Sequence, residues 1–177
     1  MKKRLLLSAV GLIGAAAIFA GCGASGATNE SVAQKFLDTD AKPVYDQISV
    51  SHESHFYTKD EYNKAQTDTL VNYEKSDKDV IISVLRDDSF NGLYDDAESI
   101  KDNSDFRYSW NNYVDMFNQI QAGLDAQLRQ RLTENGLDPN SIDYYVGISE
   151  DTGDNTYKML MAASNGKLSV NVFDLYE

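Results

Sequence analysis

Phe106, Trp110, Tyr113, Phe117, Ile120, Leu124, Leu128 and Leu132 recur at steps of three and four. Such spacing puts all of them on one side of a helix of roughly 30 residues. An apolar stripe of that length is not left in water, so the rest of the chain must supply a surface long enough to cover it. Thr133-Glu134-Asn135 and then Gly136 end the pattern, and Pro139 follows. Glycine just past the last turn and proline beyond it are the usual helix stop.

The period then changes. Ile142, Tyr144, Val146 and Ile148 alternate with more polar neighbours, which predicts a strand. Asp151-Thr152-Gly153-Asp154 reads as a turn, and Tyr157, Met159, Met161 and Ala163 alternate again. Asn165-Gly166 signals a tight hairpin, because a two-residue loop of this kind needs positive φ at both positions. Residues 167–175 form the expected third strand. The sequence therefore predicts an α+β fold: N-terminal helices and one long amphipathic helix, about 105–135, packed on a three-stranded antiparallel meander, about 142–175. The meander needs that cover, since so small a sheet is marginal alone.

Upstream signals are weaker. A helix is expected from Glu30 to Ile48, with Val32, Phe36 and Leu37 inward and Pro43 breaking or restarting it. Ser49 to Tyr57 is mostly polar and reads as a loop. Thr58-Lys59-Asp60-Glu61 has the form of a capping box, so a helix should follow to about Tyr73, with Tyr62, Ala65, Thr69 and Tyr73 facing inward. Val80, Ile81, Val84 and Leu85 are spaced for a helix face, although the unbroken Val80-Ile81-Ile82 run also suits a buried strand. The acidic stretch from Asp87 to Ser104 reads as loop with at most a short helix.

The N-terminus has a different character. Met1-Lys2-Lys3-Arg4 is followed by an apolar run from Leu5 to Ala20, interrupted by Ser8 and ending in small residues and Cys22. Basic, apolar, small is the order of a secretory signal peptide, and the run is short beside the roughly 20 residues of a permanent span. Phe19-Ala20-Gly21-Cys22 resembles the lipobox of bacterial lipoproteins, with Phe19 in place of the usual Leu. The resemblance covers only the leader. It implies cleavage after Gly21 and a diacylglycerol thioether on Cys22, the one cysteine of the chain. The expected organisation is then a signal peptide over 1–21, a lipidated cysteine and tether over 22–30, and a single domain over 31–177. The chain would be lipid-anchored on the extracytoplasmic face of a membrane. In a two-membrane cell Gly23 lacks the Asp that the resemblance associates with inner-membrane retention, which favours the outer membrane.

Charge narrows the partners. The chain carries 16 basic and 28 acidic side chains. Loss of Lys2, Lys3 and Arg4 with the leader leaves 13 basic against 28 acidic, a formal net charge of about −15. A domain so charged is repelled by nucleic-acid phosphates and anionic headgroups. Acyl chains on Cys22 would then supply the membrane contact, each buried methylene contributing about 0.8 kcal/mol. Roughly 150 mature residues suffice for one domain with one core.

No constellation in the sequence specifies a reaction. His52-Glu53-Ser54-His55 holds both histidines, with Asp60 and Glu61 nearby, but the separation of three is not the i, i+4 spacing of a zinc-protease helix. The segment reads as a solvated loop. Asp87-Asp88, Asp95-Asp96 and Glu150-Asp151 with Asp154 are acidic clusters, and Asp138 to Asp143 lacks the central Gly and distal Glu of an EF-hand. No Gly-x-Ser-x-Gly elbow or Gly-rich phosphate loop occurs. Tyr108 and Tyr145 fall off the apolar faces and are candidates for partner contact. No cofactor is expected. The reading is a non-catalytic envelope module that binds a protein or surface ligand; the alternatives are a small carboxylate-based hydrolase and a metal- or solute-binding accessory lipoprotein.

Overall fold

The computed structural model describes residues 26–69, 75–151 and 157–176. The signal peptide and Cys22 lie outside these residues, as do the 152–154 part of the expected turn and Tyr73. Among the described residues no helix is long and apolar enough to cross a membrane.

Helix α1 (Asn29–Phe36) is capped by Thr28, whose side chain accepts from the Ser31 amide. The chain widens into a π-turn over Leu37–Ala41 and continues as α2 (Lys42–Ile48). Pro43 explains the widening: it has no amide to donate and sits in the first turn of α2, where none is needed. The Lys42 amide reaches back to the Leu37 carbonyl across the wider turn. Val32, Phe36 and Leu37 are buried as expected.

Strands β1 (Ser51–Tyr57), β2 (Asp79–Arg86), β3 (Ile142–Asp151), β4 (Tyr157–Ser164) and β5 (Lys167–Asn171) form one five-stranded sheet in sequence order. Neighbours pair antiparallel except β2 and β3, which are parallel. The expected α+β class holds and the meander is present. The sheet is larger than the meander, because two further strands join the free edge of β3.

Two expectations are corrected here. Residues 80–85 are not a helix face but β2, the central partner of β3. An interior strand flanked by β1 and β3 carries an unbroken apolar run, and Val80, Ile81 and Leu85 are fully buried while Ile82 and Val84 are half-buried. Residues 51–57 are not a loop but β1. The strand looks polar because it is the sheet edge: His52, Ser54 and Phe56 turn toward the helices, while Glu53 and His55 point to water. Charge on an edge discourages a second chain from pairing there. Helix α3 (Lys59–Thr69) follows, with the Thr58 amide donating to the Glu61 carboxylate and the Glu61 amide to the Thr58 hydroxyl, as a capping box requires.

The crossover from β2 to β3 carries a short 3-10 turn (Asp88–Phe90), α4 (Leu93–Ile100) and α5 (Ser104–Glu134). In α5 Trp110, Phe117, Leu124, Leu128 and Leu132 are buried in one core cluster with Ile81, Leu85, Tyr144, Val146 and Ile148 of the sheet, and the helix itself lies against α1, β4 and β5. Each such side chain contributes about 1.5–3 kcal/mol by leaving water. The helix ends in a Schellman motif: Leu137 N–H donates to the Leu132 carbonyl and Gly136 N–H to Thr133, with Gly136 at φ +74°.

The Asn165-Gly166 hairpin has the expected positive φ at both residues, +48° and +74°. It is docked on α5 through one guanidinium. Arg129 donates to Asp125, to the Pro139 and Ile142 carbonyls and to Asn165 Oδ1. Asn165 Oδ1 also accepts the Tyr144 amide. Strand β5 is shorter than the expected 167–175. After Asn171 the chain turns into a 3-10 segment (Val172–Tyr176) that drives Val172 and Phe173 into the core. Asn171 Oδ1 fixes that turn by accepting both Trp110 Nε1–H at 2.9 Å and the Phe173 amide.

Candidate functional site

The sheet has two unlike faces. On the helix side a cluster of hydroxyls interrupts the apolar core where α2 crosses β1, β2 and β3. Tyr45 and Tyr144 share a short hydroxyl–hydroxyl hydrogen bond, and Ser54 and Ser83 share another at 2.8 Å. Tyr45, Tyr144 and Ser83 are buried. Burial pushes the Tyr45 phenol up to about 12, partly offset by the hydrogen bonds from Tyr144 and Ser83. Tyr144 is likewise pushed well above its ordinary value, by burial and by the phenol of Tyr45. Both remain neutral donors at physiological pH, so the cluster serves as a specifying hydrogen-bond network and offers no base.

At its rim, His52 Nε2 meets Asp46 Oδ1 at 2.9 Å, and the imidazole lies edge-on to Tyr45. Hydrogen bonds from His52 and Lys42 hold the Asp46 carboxyl below its usual range. A shallow cleft beside this pair, lined by Ser51, His52, Glu53, Val84 and Arg86, has a volume of about 10 Å³. Such a space suits about one water. Ser49 Oγ is committed to the Tyr45 carbonyl and Ser54 Oγ to Ser83, so this carboxylate-oriented histidine has neither as a nucleophile.

The two histidines do not converge. Three residues apart on a strand, they point to opposite faces. His55 is exposed and stacks on Tyr57 with ring centroids 4.2 Å apart. Asp60 is exposed on α3, and Glu61 is spent on the capping box. Hydrogen bonds from Thr58 hold the Glu61 carboxyl low.

The acidic clusters are dispersed in the same way. Asp87 accepts from the Tyr113 hydroxyl and the Ser89 amide. Burial, reinforced by the Asp87 charge, pushes the Tyr113 phenol well up. Asp95 pairs with Lys158, and Asp96 is exposed. Glu150 is buried and accepts the Tyr94 amide in the first turn of α4, where a carboxylate suits the helix dipole. The Asp88, Asp151 and Asp154 side chains lie outside the described residues. Asp138 closes a turn onto the Asn140 amide, while Asp143 is held by Lys78 and Asn165. Among the described residues no group of three or more histidines, cysteines or acids is placed to hold a metal ion.

The opposite face of the sheet is partly open to water. Its middle carries Ile82, Val84, Tyr145 and Met159, all half-buried, and Val170 on β5 is 37% exposed. The His55–Tyr57 stack borders it, and Tyr62 of α3 adds a further ring at 6.4 Å from Tyr57. Gly147 in the centre is occupied from above by Met159, whose sulfur would lie 2.3 Å from an added Cβ. Of the two tyrosines singled out in the sequence, Tyr145 belongs to this face, whereas Tyr108 stands 71% exposed on α5, away from it. The face was not legible in the sequence because half of it comes from β1 and β2. The period-two alternation of residues 51–57 was the available signal.

No protein family, curated protein or solved structure matches the chain.

Proposed function

We propose that this protein is a membrane-anchored extracytoplasmic lipoprotein, acylated on Cys22, whose domain is a non-catalytic module binding an envelope protein or surface ligand. The observation that carries the binding role is the unlike character of the two sheet faces. One is sealed by α1, α2, α4 and α5. The other presents Ile82, Val84, Tyr145 and the His55–Tyr57 stack in partial contact with water. Half-exposed aliphatic and aromatic side chains on one surface are the composition of a recognition patch. Commitment of the clefted His52–Asp46 pair and of Glu61, Asp95, Asp143 and Glu150 to structural bonds supports a role without turnover.

A photo-crosslinking amino acid at Tyr145, with the same group at Tyr108 as control, tests this in intact cells. A discrete crosslinked species from position 145, weak from 108 and lost with Cys22→Ala, is expected. Equal yields from both positions, or none from a correctly acylated protein, would refute the binding face.

A further inference from the structure

Resting on acylation of Cys22, we infer that the domain docks on the bilayer surface by one defined pole, the end formed by the start of α1 and the finish of α5. Three observations converge. First, the root of the domain is pinned. Asn29 Nδ2 donates to Asp79 Oδ2 at 2.8 Å, and Ser141 Oγ donates to Asn29 Oδ1 at 2.9 Å. The first turn of α1 therefore sits at the leading ends of β2 and β3. The C-terminal turn of α5 lies at the same end, where Ser31, Lys35, Arg131 and Asn135 line one groove.

Second, the tether is short against the domain. Even fully extended, the chain from Cys22 to Asn29 reaches no more than about 25 Å. Helix α5 has 31 residues, so it alone spans about 46 Å. The far pole, made of α4, the start of α5 and the ends of β2 and β3, cannot be exchanged for the near one.

Third, charge discriminates standing from lying flat. Near the root, acids face bases: Lys78 pairs with Asp143, and Arg131 pairs with Asp40. Between Asp87 and Asp105, at the far pole, a run of aspartates and Glu98 is answered within the stretch by Lys101 alone and from β4 by Lys158, which pairs with Asp95. Anionic headgroups repel that pole once it comes within about a Debye length, roughly 8 Å at physiological salt. A compensated pole near the lipid and an acidic pole away from it is the arrangement of lowest electrostatic cost. It would leave the open sheet face standing across the membrane normal, accessible from the side.

The test uses the full-length acylated protein, in which the thioether blocks Cys22 and leaves an introduced cysteine as the sole thiol. Asn140→Cys, at the root, and Tyr108→Cys, toward the far end of α5, each carry a donor fluorophore. The vesicles are phosphatidylglycerol and phosphatidylethanolamine with a headgroup acceptor. The Asn140 label should lie close to the surface and the Tyr108 label about 40 Å further out along the α5 rise. Equal distances for the two labels, or a Tyr108 label nearer the surface than the Asn140 label, overturn the proposal while leaving the anchor intact. Failure of the unlabelled protein to float with vesicles overturns the anchor itself and the pole with it.

Discussion

Gly136 and Gly166 share a backbone angle and differ in what surrounds them, which makes them a paired test of the packing between the hairpin and α5. Both have φ of +74°. An alanine at either pays about 1–2 kcal/mol for the left-handed conformation, offset by about 0.4–1 kcal/mol from a stiffer unfolded chain. At Gly136 a Cβ would meet nothing within 4 Å, so the substitution should cost no more than about 1 kcal/mol. At Gly166 the added Cβ would stand 2.9 Å from Asp125 Cβ and 3.1 Å from Ala122 Cα. Those atoms belong to the frame of α5, so relief requires the hairpin to move. The same movement strains the Arg129–Asn165 bond. Overpacking of this kind adds about 1–3 kcal/mol. Gly166→Ala should therefore destabilise by about 2–4 kcal/mol. Urea unfolding followed by circular dichroism measures both variants. With a slope of about 2 kcal/mol per molar, Gly166→Ala should lower the midpoint by about 1–2 M, and Gly136→Ala by about 0.5 M or less. Equal shifts would mean that backbone strain alone matters and that the hairpin is not seated on α5.

Arg129→Lys keeps the charge but loses the fork that reaches Asp125, Asn165 and two carbonyls, and should cost about 2–4 kcal/mol by the same urea assay. Gln121 is buried with neither amide atom partnered among the described residues. Gln121→Met should raise the melting temperature, by about 1–2 kcal/mol of added stability, and a fall would show that the amide is bonded. The Tyr45 and Tyr144 phenols are lifted above their unfolded value near 10. The unfolded chain therefore loses these protons first as pH rises. Stability from the pair is whole below about pH 10 and is lost as pH climbs through about 12, which alkaline unfolding of wild type against Tyr45→Phe/Tyr144→Phe will show. In a mutant cycle each single Phe variant should cost about 0.5–1.5 kcal/mol, since it removes one partner and leaves the other phenol bonded to Ser83, and the double variant less than the sum. Asn171→Ala should cost about 1–2 kcal/mol and blue-shift the emission of Trp110, the lone tryptophan, by removing the acceptor of its buried indole N–H.

Local chemistry determined much of this chain. The three-four stripe from Phe106 to Leu132, the Gly136 stop, the Thr58–Glu61 box and the Asn165-Gly166 turn each rest on residues close in sequence, and each formed as its own chemistry required. The alternation after Ile142 likewise became β3 and β4. Tertiary structure decided the rest. Val80-Ile81-Ile82 is compatible with helix or strand by itself, and the vacant edge of β3 settled it as a parallel strand in the interior of the sheet. Ser49 to Tyr57 reads as loop because an edge strand exposes alternate polar side chains, and only pairing of residues 51–57 with β2 satisfies their backbone. The end of β5 was set by Asn171 meeting a tryptophan 61 residues away. The candidate binding face follows the same division. Tyr145 is visible as an off-face tyrosine, but the surface around it draws on five strands, and which side of a sheet is left open depends on where the helices pack. That choice is made by long-range burial, which no local window of sequence contains.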